Sequence, residues 1–379
     1  MREKTQERPE RHNKTAEFIA RLTPEKAKQL SEILNSRLEI KEFSQAYMGL
    51  FKVGEEGFDV FQEYLKTHAL PRRLGGQNNA NYVISCQDGT DPVVLQVQSL
   101  FMPHPTDLSE KLREGSLQQT LTPIWAKQDV GDTKTLVVTE LCNGGDLQNN
   151  MSQLRASNEH FLKTMLHTYI QMGTVLKAMQ KEGVFFPDIK NTNWLVNGNK
   201  EKQTLHIADT KSFMPAPDDQ FDENLSMNDG YMLLFATTRY LNPPEIDMSA
   251  DEVPPFSIDK AYAFMLGKNI YQAMTSCTID YLDGKNNAEQ MSFEDPIFQS
   301  EEGMALKQMI KNAVQEDPEQ RPSVSDMLRT LKFFHSKIAL KEMRELNVSV
   351  STPQNKKSVS DSPDSPDSPD KRQDGPSGS

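Results

Sequence analysis

Residues 188–193 read Asp-Ile-Lys-Asn-Thr-Asn, and Asp209 follows sixteen residues after Asn193, in LHIADTKSF. One loop thus carries a carboxylate, a lysine two residues on and an amide three further on. A second carboxylate ends the short hairpin behind it. Phosphoryl transfer from ATP needs that set of parts: an acid to orient the attacking hydroxyl, a cation on the transferring phosphate, and an amide and a second acid to hold Mg2+. On this reading Asp188 is the base, Lys190 the cation, and Asn193 and Asp209 the metal ligands. A polar surface loop running into a strand has the same composition, so the flanks have to decide.

The flanking stretch GVFFPDIKNTNWLV is apolar, polar, then apolar, which reads as strand, loop, strand. Ahead of it, EHFLKTMLHTYIQMGTVLKAMQKEG carries Phe161, Met165, Tyr169, Met172, Val175, Leu176 and Met179 at helical spacing and stops at Gly183. This order resembles the protein-kinase catalytic loop, in which H-R-D-L-K-x-x-N follows a long helix. The resemblance runs from about Leu74 to Met327, most of the chain. TTRYLNPPEI resembles the end of the family's activation segment, T-x-x-Y-x-A-P-E, with one extra residue, and Tyr240 and Glu245 take the matching places. SIDKAYAFMLGKNIYQAMT resembles the buried helix that follows; the family begins it with an Asp that supports the catalytic loop, here Asp259. LKQMIKNAVQEDPEQRPSVSDML is similar to the final helices with their D-P-x-x-R-P, which implies that Arg321 pairs with Glu245 in the interior.

The resemblance implies an α+β fold of two lobes, a small β-rich N-lobe and a mostly helical C-lobe, with ATP and Mg2+ as cofactors. It implies Ser/Thr rather than Tyr as acceptor, because Lys190 stands two residues after the catalytic Asp. Gly75 and Gly76 in LGGQNNANYV fall where the family carries its phosphate-binding glycines; Asn78, Asn79 and Ala80 replace the later ones. The loop is also similar to the Asn-bearing phosphate loops of small-molecule kinases such as choline kinases. In VVTELCNGGDL, Thr139 takes the place at the back of the adenine pocket, Glu140 and Cys142 the hinge, and Asp146 the ribose-bonding acid. A buried strand followed by a Gly-Gly turn is the plainer reading of the same residues.

Several departures bear on activity. The family's third-strand lysine is Gln98 here, or Gln96 with a two-residue shift, and neither is charged. Its glutamate partner on the next helix corresponds to Glu114 in LREGSLQQTL, with Leu117 and Leu121 on the packing face and Arg72 or Arg73 as possible partners. Phe186 and Pro187 replace His and Arg of H-R-D, which argues against control by activation-loop phosphorylation. Asp-Phe-Gly is Asp209-Thr210-Lys211; Lys211 either supplies a replacement cation near the phosphates or points to solvent. Three functions stay open: a divergent Ser/Thr protein kinase, a pseudokinase scaffold or binding module, and a kinase-fold enzyme that transfers AMP or phosphorylates a small molecule. The style of divergence is similar to that of kinase-like effectors that intracellular bacteria deliver into host cytoplasm.

The 379 residues accommodate one two-lobed domain of about 250–280 residues plus extensions. With 36% hydrophobic and 25% charged residues the composition suits a soluble globular protein. No apolar run approaches the roughly 20 residues of a membrane span, and the charged start MREKTQERPERHNK lacks the apolar core of a secretory signal. Cys86, Cys142 and Cys277 are sparse and lack metal-ligand spacing, which points to reduced thiols inside a cell. A formal charge of −12 argues against a general affinity for nucleic acid or anionic membrane, while the family resemblance implies a protein substrate or regulatory partner.

Residues 1–70 read as an N-terminal helical extension, 71–142 as the N-lobe, 143–345 as the C-lobe and 346–379 as a tail. In the extension, Thr23 and Pro24 are a helix N-cap and first turn, with Leu30, Ile33 and Leu34 on one face. GFDVFQEYLKTHALP is a second short helix ended by Pro71. The extension either pads the lobe or binds a partner. ANYVISCQ and PVVLQVQSL flank Asp88-Gly89-Thr90-Asp91 as a hairpin, and KTLVVTEL is a further buried strand. The tail repeats DSPDSPDSPD without an apolar residue and predicts disorder, with Ser362, Ser365 and Ser368 each before a proline.

Overall fold

A computed structural model of the protein describes residues 13–67, 69–74, 80–85, 92–99, 108–115, 117–157, 160–198, 203–216, 220–221, 237–246, 253–276 and 289–351. Of residues 110, 111, 211, 220, 221 and 346–351 it describes the backbone alone. Residues to Ser336 form one compact unit, which holds every site discussed below. A second begins at Lys337, and its described residues, 337–351, are helical.

Four helices open the chain: α1 (Lys14–Ala20), α2 (Pro24–Asn35), α3 (Ile40–Leu50) and α4 (Glu56–Thr67). Capping starts the first two, Asn13 accepting from Ala16 N–H and Thr23 from Lys26 N–H, with Pro24 in the first turn of α2. Ala27, Leu30, Ser31 and Leu34 recur on one face of α2 and are buried. The third helix escaped the sequence reading, although Ile40, Phe43 and Tyr47 have helical spacing. Its Tyr47 lies at the centre of an aromatic group, with ring centroids 4.6 Å from Phe61 and 5.0 Å from Phe51. The Tyr47 hydroxyl bonds the carbonyl of Gly57, and burial raises its pKa well above the ordinary value.

A five-stranded antiparallel sheet follows, in the order β1-β2-β3-β5-β4. Its strands are β1 (Arg72–Leu74), β2 (Ala80–Ile84), β3 (Val93–Ser99), β4 (Ile124–Val130) and β5 (Lys134–Glu140), with α5 (Leu108–Glu114) inserted after β3. The expected hairpin is present, Ala80 opposite Val97 and Ile84 opposite Val93; its turn lies outside the described residues. Alternation along the strands separates two faces. Tyr82, Ile84, Val93, Leu95, Val97, Leu136 and Val138 share one core with Phe18, Ile19, Leu30, Leu34 and Tyr47 of the helices. Two tyrosines staple helices to strands: Tyr82 Oη donates to Leu34 O at 2.6 Å, and Tyr64 Oη to Val83 O at 3.1 Å. The helices therefore cover one face of the sheet, and the other face carries Asn81, Gln96 and Gln98.

One expectation fails here. α5 ends at Glu114, and Gly115 follows in a turn, so Leu117 and Leu121 are buried outside that helix rather than on its packing face.

The rest of the unit is mostly helical. Its helices are α6 (Leu147–Ser157), α7 (Phe161–Lys181), α8 (Ile258–Thr275), α9 (Glu301–Ala313) and the part before Lys337 of α10 (Val324–Ser351). Short strand pairs fill in between: β6 (Val184–Phe185) with β9 (Met214–Pro215), β7 (Trp194–Asn197) with β8 (Thr204–Ile207), and β10 (Gln220–Phe221) with β11 (Phe256–Ser257). α8 is buried at every position but Lys260 and Thr275, as a helix enclosed on all sides must be. A Cβ on its Gly267 would lie 2.8 Å from Ala313 Cβ, so glycine admits α9 at that crossing. No helix among the described residues is long and apolar enough to cross a membrane. This mixed architecture, a small sheet followed by a helical part, is compatible with a kinase-like fold.

Candidate functional site

The loop between β6 and β7 carries Asp188, Lys190 and Asn193, and the structure draws them together. Asp188 is buried, 7% exposed. Asn193 Nδ2 donates to Asp188 Oδ2 at 2.7 Å and to its backbone carbonyl at 3.0 Å. Lys190 Nζ lies 2.8 Å from the same Oδ2. The fourth member was missed from sequence. Thr238 Oγ1 donates to Asp188 Oδ1 and accepts from Lys190 Nζ at 3.2 Å. Its one sequence signal was a place in TTRYLNPPEI, fifty residues away. Its neighbour Thr237 accepts from Asn242 Nδ2 at 2.9 Å.

The loop is bonded through its backbone to α8 and through the Asn191 side chain to α7. Phe186 N–H donates to Tyr262 Oη at 2.7 Å, and Asn269 Nδ2 to Ile189 O at 2.9 Å. Tyr169 Oη, whose pKa burial raises far above its ordinary value, donates to Asn191 Oδ1 at 2.8 Å. Asp259, expected to support the loop, meets Lys177 Nζ at 3.1 Å and Val324 N–H at 3.3 Å. Tyr262, one turn further along the helix, bonds the loop backbone directly. Phe186 packs edge-on against Phe213, centroids 5.2 Å apart; an aromatic thus stands four residues after Asp209, while Asp209-Thr210-Lys211 itself has no Phe.

Asp209 follows β8, is half-buried and has its backbone beside Asn193, since Ala208 N–H donates to Asn193 O at 2.9 Å. Thr122 N–H and Oγ1 both reach Ile207 O, at 3.2 and 2.8 Å, and Arg113 of α5 donates to Thr122 O at 2.8 Å. The end of β8 is thereby tied to α5. Asn193 spends its amide N–H groups on Asp188, so its amide oxygen is the atom that could ligate a cation. Among the described residues no group of three or more His, Cys, Asp or Glu gathers to hold a metal. A site of one amide and one carboxylate suits Mg2+, which keeps waters and phosphate oxygens in its shell.

The segment from Glu140 to Asp146 is laced to β7. Gly144 N–H donates to Val196 O at 2.9 Å, Val196 N–H to Gly145 O at 2.8 Å, and Asn197 Nδ2 to Glu140 Oε1 at 2.9 Å. A Cβ on Gly144 would lie 2.8 Å from Val196 O, and Gly145 has φ +68°, so both glycines are required by the close approach and the turn. Burial, with the Glu140 charge adding to it, pushes the Cys142 thiol up to about 12. The side chain is inert and its backbone is what it can offer a ligand. Asp146 accepts from Asn149 N–H at 2.9 Å and from Asn149 Nδ2 at 2.6 Å, the bonds of a cap on α6.

On the sheet face away from the N-terminal helices, Gln98 Nε2 donates to Gln96 Oε1 at 2.8 Å. Register sets Val94 opposite Thr139 and Gln96 opposite Val137, so Gln96 is nearer to Glu140 than Gln98 is. Glu114 is not brought to them. It is the exposed last residue of α5 with no ion-pair partner among the described residues, because the helix stops before Gly115. Arg73 lies over the Tyr82 ring, 5.9 Å from its centroid, on the helix-covered face and so away from the glutamines. Arg72 lies opposite Val83 on their side and is exposed. Gly75 and Gly76 lie outside the described residues, as does the side chain of Lys211. The expected interior pair is present: Arg321 Nη1 meets Glu245 Oε1 at 2.6 Å and Nη2 meets Oε2 at 2.8 Å.

No family model matches the chain. It is 31% identical over 145 residues to the serine/threonine-protein kinase unc-51 of Caenorhabditis elegans, a match covering 38% of this chain and 15% of that protein. It is 25% identical over 199 residues to a calcium and calcium/calmodulin-dependent serine/threonine-protein kinase of Oryza sativa subsp. japonica, covering 51% of this chain and 35% of that one. The matches thus span well under half of either relative. They support a kinase-like relationship at the level of Ser/Thr protein kinases in general.

Proposed function

We propose that the chain is an ATP- and Mg2+-dependent phosphotransferase, a divergent Ser/Thr protein kinase with a two-lobed kinase-like fold. One observation carries this reading: the Asp188 carboxylate is held by Asn193, Lys190 and Thr238 in one cluster. Two bonds to Oδ2 and one to Oδ1 fix the carboxylate plane, which is what a base orienting a hydroxyl requires. In the reaction Asp188 takes the proton of the attacking Ser or Thr hydroxyl as its oxygen bonds the γ-phosphorus and the β–γ bridging oxygen leaves with ADP. Lys190 screens the transferring phosphate and the carboxylate from each other. Asn193 and Asp209 would hold Mg2+, which supplies charge neutralisation along the phosphates. The segment Glu140–Asp146 would receive the adenosine through its backbone.

A second reading, a pseudokinase that binds without transfer, is favoured by Gln96 and Gln98, two neutral amides bonded to each other where the family carries its lysine. Incorporation from γ-labelled and α-labelled ATP, with and without cell extract, separates these. Label from γ that falls on the order of 10²–10⁴-fold in Asp188→Asn supports the kinase reading. Label from α replaces it with AMP transfer, and none from either leaves the pseudokinase.

A further inference from the structure

Two adjacent side chains of α8 hold the two halves of the site. Lys268 and Asn269 are both 0% exposed. Lys268 Nζ donates to the carbonyl of Tyr240, two residues beyond Thr238, and lies 5.4 Å from the centroid of the Phe264 ring. Asn269 Nδ2 donates at 2.9 Å to the carbonyl of Ile189, the residue between Asp188 and Lys190. The backbone carbonyl of Asn269 in turn accepts from Asn191 Nδ2 at 3.2 Å and lies 2.9 Å from Tyr169 Oη, whose one proton it shares with Asn191 Oδ1. Position 269 is therefore a junction for the catalytic loop, and position 268 a fastening for the Thr238 segment.

Both grips close on backbone carbonyls, so they fix where the chain runs whatever the side chains above. They come from consecutive residues of a buried helix, whose rise of about 1.5 Å per residue does not vary. A lysine at a fully buried position is costly unless its ammonium is bonded. A methionine of similar length would fill the space without that cost.

We infer that Lys268 and Asn269 are positioning residues that register the Thr238 segment against the Asp188 loop, so that Thr238 Oγ1 reaches Asp188 Oδ1. The kinetic part of this inference rests on the kinase reading. The registration does not.

The test uses the full chain with Lys268→Met, Lys268→Arg and Asn269→Leu, followed by amide hydrogen exchange. In Lys268→Met, exchange in residues 237–246, where Leu241 N–H bonds Thr238 O at 2.8 Å, should quicken about ten-fold for one bond lost. Residues 186–193 should change far less. Asn269→Leu should give the opposite pattern, and β3 and β5 should stay protected in both. With ATP and substrate, kcat should fall about 10- to 100-fold, the scale of a misplaced reacting group, while KM for ATP holds and Lys268→Arg restores much of the rate. Uniform quickening, or none, in the two segments overturns the inference, as does a drop in melting temperature with kcat unchanged. Should Lys268→Met lose protection throughout, Lys268→Gln, which retains a donor, is scored by the same two segments. If the wild-type chain transfers no phosphate, the kinase reading falls and the exchange pattern alone decides the registration.

Discussion

Replacing Glu245 by glutamine should strand a guanidinium in the interior. The Arg321 side chain is 0% exposed and Glu245 10%. Arg321 has five N–H groups, and each has an acceptor: Nε meets Gln315 O at 2.7 Å, Nη1 meets Glu245 Oε1 and Lys260 O at 2.6 and 3.4 Å, and Nη2 meets Glu245 Oε2 and Glu316 O, both at 2.8 Å. Glutamine keeps one oxygen toward this fork and turns an NH2 against the other arm, so one donor faces another and the charge loses its counter-ion. Breaking one side of a buried pair costs about 3–5 kcal/mol, and the retained bond places Glu245→Gln near about 3. Arg321→Met should cost a similar amount, because it leaves the carbonyls of Gln315 and Glu316 without their donor. The double variant Glu245→Met/Arg321→Met removes both charges together and should cost less than the sum of its singles by about 2 kcal/mol. Urea unfolding followed by the fluorescence of Trp125 and Trp194 and by circular dichroism measures all of these. A cost below about 1 kcal/mol for either single change, or strict additivity in the double, refutes the reasoning.

Two further outcomes follow from burial. With its pKa pushed to about 12, the Cys142 thiol should resist iodoacetamide at about pH 8 in the folded protein and react once urea unfolds it; native-state alkylation of the Cys142 peptide, read by mass spectrometry, contradicts the burial. Tyr82→Phe removes the hydroxyl that bonds Leu34 O at 2.6 Å, and should cost about 1 kcal/mol in urea unfolding while speeding exchange at the end of α2; no cost and no change in exchange would mean the N-terminal helices do not dock on the sheet through this residue.

Much of the candidate site was legible in the sequence because its parts lie close along the chain. Asp188, Lys190 and Asn193 fall within six residues, and a single loop between two strands has few ways to keep them apart. The hairpin of β2 and β3 and the buried β5 were equally local, set by alternation and a turn. Arg321 and Glu245 are far apart in sequence and were paired only through motif resemblance.

Side-chain direction was a different matter. Asp259 and Tyr262 lie one turn apart on the same helix, and the sequence reading named only Asp259 as the one to reach the loop. The rotation of α8 decides between them, and that rotation follows from packing on both sides, including Gly267 against Ala313. Glu114 looked like an inward acid because LREGSLQQTL was read as one helix, whereas α5 stops before Gly115 and turns the chain. Thr238 stands fifty residues from Asp188, and nothing local tells it from Thr237. Sequence alone determines which chemical groups are available and which of them share a loop or a strand. Which of two like groups faces the site depends on how buried elements rotate and pack against one another, a property of the whole interior that no short stretch contains.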